Sequence, residues 1–182
     1  MEDLSLHILD IVENAISAKA KIIEILVMEE PGEDRLTIEI RDDGIGMDEE
    51  VSQKAVDPFF TTRSSRKVGL GLSLMAQAAQ EAGGSLRIES TLGKGTRVIA
   101  TFQYHHIDRK PLGSMVETMM TLLLGNPELE IFYTHQKEGK SYVLSSSWLK
   151  NRFKDRSLID PEIIQWVKTH LKEGLEQIGV QG

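Results

Sequence analysis

The chain has 182 residues, of which 40% are hydrophobic and 27% charged, enough apolar material for one compact domain with an appendage. Its formal net charge is −7. Residues 104–182 hold 10 basic and 10 acidic residues, so the acidic excess lies in residues 1–103. This charge balance argues against nucleic-acid binding and against a polybasic membrane contact. The absence of cysteine excludes disulfides, thiolate metal sites and cysteine nucleophiles.

The N-terminus gives no sign of a targeting segment. Residues 1–3 are acidic where a signal peptide would be basic, and no apolar run approaches the length of a membrane span. These features predict a cytoplasmic protein that binds neither nucleic acid nor a membrane.

Residues 1–103 show a helix, a hairpin, two helices and a second hairpin by their hydrophobic periodicity. The predicted elements are a helix at 4–19, strands at 21–28 and 35–41, helices at 49–56 and 70–82, and strands at 85–90 and 97–102. Strands that follow one another as hairpins form mixed or antiparallel sheets. The order therefore predicts an α+β two-layer sandwich with helices on one face of the sheet.

Residues 104–182 are predicted to form a second unit, a small α+β extension of unknown role. Its predicted elements are a helix at 113–124, strands at 130–135 and 141–145, a short helix at 148–153 and a last helix that starts at Pro161 with Asp160 as N-cap. The first of these helices is rich in methionine, and we expect it to pack against the sheet. A partner-binding surface is the alternative, because methionine adapts to varied neighbours.

Three polar residues of the first helix, Asp10, Asn14 and Ser17, have the spacing that places them on one face. An amide oxygen such as that of Asn14 can occupy one place in the octahedral shell of Mg²⁺. A carboxylate one turn earlier, Asp10, can orient or deprotonate a water molecule. Taken alone, the pattern is more typical of a solvated helix face.

Asp42 ends a predicted strand and is followed by Gly44 and Gly46. A carboxylate in this position can accept a hydrogen from the amino group of adenine, and the glycines let a ring lie close to the backbone. An ordinary strand-ending turn is the alternative reading, since Asp-Gly is common there.

A further glycine pair, Gly69 and Gly71, opens the predicted helix at 70–82 and would direct backbone N–H groups at an anion. The chain contains no P-loop, and the stretch does not match the dinucleotide fingerprint. The polar, basic segment 61–67 precedes it and could fold over phosphates. A charged surface loop is the alternative for that segment.

Five motifs occur in a fixed order along these residues. They are Asn14, Asp42-x-Gly44-x-Gly46, residues 57–63 (DPFFTTR), Gly69-Leu70-Gly71-Leu72 and Gly93-Lys94-Gly95-Thr96. In this order they resemble the N, G1, F, G2 and final Gly-x-Gly-Thr boxes of the GHKL superfamily of histidine kinases, gyrase B, Hsp90 and MutL. Residues 57–102 are most similar to a histidine-kinase catalytic domain. The first helix is more similar to the MutL and Hsp90 pattern, with an acidic base four residues before the asparagine.

The resemblance implies a Bergerat-type fold for residues 1–103, with ATP and Mg²⁺ bound between the first helix and a short lid. It also implies a role for each motif residue. These roles are Asp10 as catalytic base, Asn14 as Mg²⁺ ligand, Asp42 and Thr96 at the adenine with Gly44 and Gly46 beside them, Gly69, Leu70, Gly71 and Leu72 at the phosphates, and Thr62 and Arg63 in the lid.

Three functions remain open at this level. The first is an ATPase that acts as a nucleotide-dependent switch on a protein partner, with slow hydrolysis because Asp10 is one methylene shorter than the usual glutamate. The second is a protein kinase that phosphorylates a histidine or serine in trans, which the kinase-like stretch 57–102 favours. The third is a non-catalytic ATP sensor. The pocket begins near residue 1 with no phospho-accepting hairpin before it, which favours the ATPase, and a homodimer is among the assemblies expected.

Overall fold

The computed structural model describes residues 3–55, 70–154 and 156–180. The strands are β1 (Ile22–Glu30), β2 (Arg35–Asp42), β3 (Ser85–Thr91), β4 (Gly95–Gln103), β5 (Glu130–Lys137) and β6 (Lys140–Ser145). The α-helices are α1 (Leu4–Ser17), α2 (Glu49–Lys54), α3 (Leu70–Glu81), α4 (Met115–Gly125), α5 (Ser146–Arg152) and α6 (Pro161–Gln177). The six strands form a sheet in the order β3-β4-β2-β1-β5-β6. A 3₁₀ turn at Pro31–Glu33 joins β1 to β2.

The sheet is mixed. Strands β1 and β5 pair in parallel, from Ile22 opposite Glu130 to Glu29 opposite Lys137. The other neighbouring strands pair in antiparallel fashion. The C-terminal hairpin therefore extends the same sheet as the N-terminal strands.

One face of the sheet is covered by helices. Alternate residues of β1 and β2 are buried, as expected for strands with one face against a core. The buried side chains of α1, α3, α4 and α6 join these strand residues in a single hydrophobic cluster. The opposite face carries charged side chains, among them Glu39, Arg41 and Arg97. The arrangement confirms the predicted α+β two-layer sandwich with a mixed sheet and helices on one face.

The predicted elements are present, with shifted ends. The last helix starts as expected, since the Asp160 carboxylate accepts a hydrogen bond of 3.0 Å from the Glu162 N–H. Strand β4 begins at Gly95 and not at residue 97, because Thr91 pairs with Gly95 and Ser90 with Thr96 across the hairpin. This correction places Thr96 inside the strand. The predicted helix at 49–56 ends at Lys54, and its last predicted residue lies outside the described chain.

The methionine-rich helix α4 packs into the common core, where it contacts α1 and α6. Met115, Met119 and Met120 are all buried in the common core. The helix begins at Met115 and not at Gly113, because the Ser114 hydroxyl accepts a hydrogen bond from the Glu117 N–H and caps it there. Among the described residues, none of the helices is both long and apolar enough to cross a membrane.

Candidate functional site

Helix α1 presents Asp10 and Asn14 beside its buried face. Ile8, Ile11 and Val12 pack into the core, whereas Asp10 is exposed and Asn14 is half-buried. The Asn14 amide oxygen is a hard, neutral ligand of the kind that Mg²⁺ accepts.

The N-terminal turn of α3 lies directly against Asp10. A Cβ atom built on Gly71 would lie 2.7 Å from the Asp10 Cβ, so only a glycine allows the two helices to approach this closely. Gly71 is buried, and Leu72 is partly buried against the core. The structure thus brings two predicted site residues, Asp10 of α1 and Gly71 of α3, into contact.

Asp42 ends β2 and is half-buried beside Thr96. The two residues are register partners across β2 and β4. Burial raises the pKa of the Asp42 carboxyl, and the negative charge of Asp43 raises it further, while hydrogen bonds from the backbone of Gly44 and Thr96 oppose the rise. The carboxylate is a partly desolvated acceptor at the end of a strand.

Hydrogen bonds join the loop after Asp42 to the end of α1 and to the β3–β4 turn. The Gly44 N–H donates to Asp42 Oδ1 at 2.8 Å, and the Ile45 N–H donates to the Ala18 carbonyl at 2.8 Å, just after α1. The Gly93 N–H donates to the Ile45 carbonyl at 2.6 Å. This loop therefore connects α1 to the β3–β4 turn.

Glycine is required at two positions in this region. Gly46 has φ +67°, and a Cβ atom there would lie 2.1 Å from the Thr91 carbonyl oxygen. Gly95 has φ +89°, and its Cβ atom would lie 1.9 Å from the Asp42 carbonyl oxygen. Only residues without a Cβ allow the backbones to pass so closely, and this close approach holds Thr96 next to Asp42.

An open cleft of about 630 Å³ reaches Asp42 and Thr96. Its other walls come from the charged face of the sheet and the β3–β4 turn. They are Glu39, Arg41, Glu89, Ser90, Thr91, Lys94, Gly95 and Arg97.

Several predicted site residues lie outside the described chain. Thr62, Arg63 and Gly69 fall in the segment between residues 55 and 70, and for Leu70 only the backbone is described. Asp10, Asn14, Asp42, Gly44, Gly46, Gly71, Leu72 and Thr96 are described.

One polar residue of this region, Ser90, belongs to none of the sequence motifs. Ser90 lies on β3 opposite Thr96 and forms a hydrogen bond of 2.8 Å with the Thr96 hydroxyl. Its position six residues before Thr96 around a short hairpin was the signal that could have found it, because cross-strand partners in an antiparallel pair share one face.

The donor set fits a magnesium-bound nucleotide. Asp42 and Thr96 offer a desolvated carboxylate and a hydroxyl, which suit the edge of a base. Asn14 offers a neutral oxygen, and the glycines leave space where side chains would otherwise stand. In the part of the chain that the structure describes, no group of three or more His, Asp or Glu side chains could hold a metal ion on its own. Mg²⁺ is usually held by one or two protein oxygens together with substrate phosphates, and Asn14 offers one such oxygen.

Comparison with known proteins gives matches over the same residues. The family described as histidine kinase-, DNA gyrase B- and HSP90-like ATPase matches residues 2–106. Sensor kinase CckA of Brucella abortus (strain 2308) is 39% identical over 67 residues, which are 36% of this chain and 7% of the kinase. Sporulation kinase E of Bacillus subtilis (strain 168) is 39% identical over 64 residues, which are 35% of this chain and 8% of the kinase. The chain thus covers less than a tenth of the length of either kinase.

Among solved structures, the ATPase domain of Aquifex aeolicus MutL, complexed with ADP, is similar in fold. It superposes with a TM-score of 0.55 at 21% identity, over 85% of this chain and 68% of that one. At this identity the likeness concerns the fold alone, and it agrees with the Bergerat-type sandwich predicted from the motifs.

Proposed function

Because the chain belongs to the histidine kinase-, DNA gyrase B- and HSP90-like ATPase family, we propose that it binds Mg-ATP and hydrolyses it slowly, as a conformational switch that acts on a protein partner. The observation that carries this proposal is the meeting of Asp10 with the glycine turn of α3, close to Asn14 on the same helix. A carboxylate, a metal-ligating amide and a phosphate-binding helix start are the groups that phosphoryl chemistry needs.

The base of the nucleotide is assigned to the Asp42 region. The Asp42 carboxylate accepts the amino hydrogen of adenine, Gly44 and Gly46 let the ring approach the backbone, and Thr96 contacts the same base. Supporting observations are the partial burial of Asp42 and its register partnership with Thr96. A partly desolvated acceptor discriminates well, because a base without the matching donor leaves it unsatisfied.

The phosphates are assigned to the start of α3, and Mg²⁺ to Asn14. The ion, when bound, neutralises phosphate charge and holds the phosphates in position. The backbone N–H groups at the start of α3, residues 70–72, are assigned to the phosphates. The roles of Thr62, Arg63 and Gly69 stay predictions from the motifs, because these residues lie outside the described chain. Asp10 orients the attacking water and accepts its proton. Because aspartate reaches one methylene less far than glutamate, this transfer is slow.

A second candidate function is phosphoryl transfer to a histidine or serine of another protein. The observation that favours it is the 39% identity with Sensor kinase CckA and with Sporulation kinase E. Both functions share the nucleotide pocket and differ in the acceptor, which is water in one and a side chain in the other. We place the protein in the cytoplasm, in signal transduction, with residues 1–103 as the nucleotide domain and residues 104–182 as the part that sets the partner.

The Asp10→Asn variant separates the two functions. We expect phosphate release to fall by about 10²-fold or more, the usual effect of removing a general base, while the dissociation constant for Mg-ATP stays within about twofold of the wild-type value. The measurement is single-turnover phosphate release together with calorimetric binding. Glu13→Gln is the matched control, since Glu13 is an exposed carboxylate on the same helix and should not affect release.

An unchanged release rate in Asp10→Asn would contradict hydrolysis through this residue. Transfer of phosphate to a partner protein that survives the substitution would favour the kinase.

A further inference from the structure

Ser90, Thr96 and Asp42 lie in one row across three neighbouring strands. Ser90 is the register partner of Thr96 on β3 and β4, and Thr96 is the register partner of Asp42 on β4 and β2. Register partners in antiparallel strands project from the same face of the sheet. Ser90 is therefore the neighbour of Thr96 on the side away from Asp42.

The Ser90 hydroxyl makes three hydrogen bonds. It accepts one of 2.8 Å from the Met47 N–H, in the loop that follows Asp42. It donates one of 3.1 Å to the Gly95 carbonyl. The third, of 2.8 Å, joins it to the Thr96 hydroxyl. One side chain thus links both glycine-containing loops to Thr96.

We propose that Ser90 is a positioning residue of the base-binding site, which fixes the Thr96 hydroxyl in the orientation that reads the base and holds the two glycine loops at their spacing. The inference rests on the proposed function, because it assumes that Thr96 contacts adenine.

The physical reason is that a threonine hydroxyl rotates when nothing holds it. With Ser90 in place, one hydrogen-bonding position of the Thr96 hydroxyl is occupied, and the remaining positions point in fixed directions. Without the serine oxygen, the Met47 N–H also loses its acceptor, so the loop beside Asp42 loses one of its attachments. Both effects weaken recognition of the base without removing any group that touches it.

The first test is Ser90→Ala, with Mg-ATP and Mg-ITP binding measured by calorimetry. ITP carries an oxygen in place of the amino group of adenine. We expect ATP binding to weaken about five- to tenfold, the scale of one or two net hydrogen bonds, and ITP binding to change by less. The ratio of ATP affinity to ITP affinity therefore falls, which a loss of stability alone would not produce.

A double-mutant cycle tests whether Ser90 acts through Thr96. In a Thr96→Val background, the further change Ser90→Ala should weaken ATP binding by less than it does in the wild type, because the hydroxyl that Ser90 positions is already absent and only its bonds to the two loops are lost. Ser90→Thr keeps a hydroxyl and should bind ATP within about twofold of the wild type. If Ser90→Ala does not fold, Ser90→Cys replaces it in the test. Cysteine is similar in size to serine but its thiol forms only weak hydrogen bonds, so the same loss of ATP affinity is expected.

The matched control is Ser85→Ala. Ser85 and Thr101 form the equivalent serine–threonine pair on the same two strands, with 3.4 Å between the hydroxyls, at the other end of the hairpin. This variant should bind both nucleotides like the wild type.

Three outcomes would overturn the inference. A wild-type protein that does not bind ATP would overturn the proposed function and this inference with it. Normal ATP binding with an unchanged affinity ratio in Ser90→Ala would overturn this inference alone. The same loss in the Thr96→Val background as in the wild type would mean that Ser90 does not act through Thr96.

Discussion

Two adjacent carboxylates at the end of β2 have different roles. Asp43 accepts hydrogen bonds from the backbone N–H groups of Lys21 at 2.7 Å and Ile22 at 2.8 Å. Burial acts to raise its pKa, but these backbone bonds outweigh burial, so the pKa lies below its ordinary value. Asp42 has its pKa raised by burial. Asp43 therefore holds the start of β1 in place, whereas Asp42 is the carboxylate that we propose to meet the base.

Among single residues, site candidates that belong to sequence motifs can be recognised along the chain. Residues whose position depends on the pairing of two strands are harder to recognise. Asp42 and Gly46 could be proposed as site residues because an acid followed by glycines at the end of a strand is a recognisable sequence pattern. Ser90 belongs to no motif, and the role that we propose for it depends on β3 lying beside β4 with Ser90 opposite Thr96. A shift of that register by one residue would turn Ser90 to the other face of the sheet.

At the scale of elements, the contact between α1 and α3 depends on the absence of a side chain at Gly71. A Cβ atom there would lie 2.7 Å from the Asp10 Cβ, and a Cβ atom cannot move away without its backbone. We expect Gly71→Ala to force the helices apart, to lower the free energy of unfolding by about 1–3 kcal/mol as overpacking does, and to slow ATP turnover.

Urea denaturation of Gly71→Ala and Gly125→Ala checks this prediction. Gly125 is the last residue of α4, and a Cβ atom there would meet no other atom within 4 Å. The Gly125 variant should be as stable as the wild type or slightly more stable. Equal stability of the wild type and Gly71→Ala would show that the helices are not in this close contact.

The elements themselves were largely predictable, and their pairing was only partly so. The hairpins β1–β2 and β3–β4 follow from short turns between strand-like runs. The parallel pairing of β1 with β5 brings Ile22 opposite Glu130, more than 100 residues later in the chain. It could not be predicted, because no local sequence pattern indicates which distant strands pair.

At the scale of the whole molecule, a buried polar cluster joins the N-terminal and C-terminal parts. Glu29 on β1 is 7% exposed and His135 on β5 is 0% exposed. Glu29 Oε1 lies 2.8 Å from His135 Nε2, and His135 Nδ1 lies 2.7 Å from the Tyr133 hydroxyl. The Tyr104 hydroxyl donates to Glu29 Oε2 at 2.9 Å.

The cluster has a consistent set of donors. Burial raises the pKa of Tyr133 well above its ordinary value, so the hydroxyl stays protonated and can donate a hydrogen bond to His135 Nδ1 in the tautomer that leaves Nδ1 unprotonated. In that tautomer the Nε2–H of His135 donates a hydrogen bond to Glu29 Oε1. The hydrogen bonds from His135 and Tyr104 both end on the Glu29 carboxylate, which makes its negative charge important for stability.

Glu29→Gln tests this cluster. Burial acts to raise the Glu29 pKa, but hydrogen bonds from His135 and Tyr104, with the positive charge of Lys137, lower it below the ordinary value of 4.5. A carboxyl whose pKa is lowered on folding stabilises the protein above its ordinary pKa, and this contribution is lost as the pH falls through the lower folded-state value. At neutral pH the variant should lose about 1.5–3 kcal/mol of unfolding free energy.

The measurement is urea denaturation of the wild type and Glu29→Gln from pH 7 down to about pH 3. The difference between them should be constant above pH 4.5 and shrink below it. Glu24→Gln is the control, because Glu24 lies on the same strand with its side chain 54% exposed and should cost little. A difference between the wild type and Glu29→Gln that does not change with pH would contradict the assigned role of the charge.

The division at residue 103 stays a prediction. The C-terminal hairpin adds two strands to the sheet of the N-terminal part, and Glu29 bonds to His135 across the junction. This continuity provides a physical route by which a change at the nucleotide site could reach residues 104–180.

Calorimetric titration of Mg-ATP into the wild type, Asp42→Asn and Asp43→Asn tests most directly whether Asp42 belongs to an ATP-binding pocket. We predict Mg-dependent binding by the wild type and a loss of about tenfold or more in Asp42→Asn. Asp43→Asn should have a lower melting temperature but nearly wild-type affinity, since Asp43 bonds to the backbone of β1. Equal affinity of the wild type and Asp42→Asn, or no binding by the wild type at millimolar ATP, would contradict this assignment of Asp42.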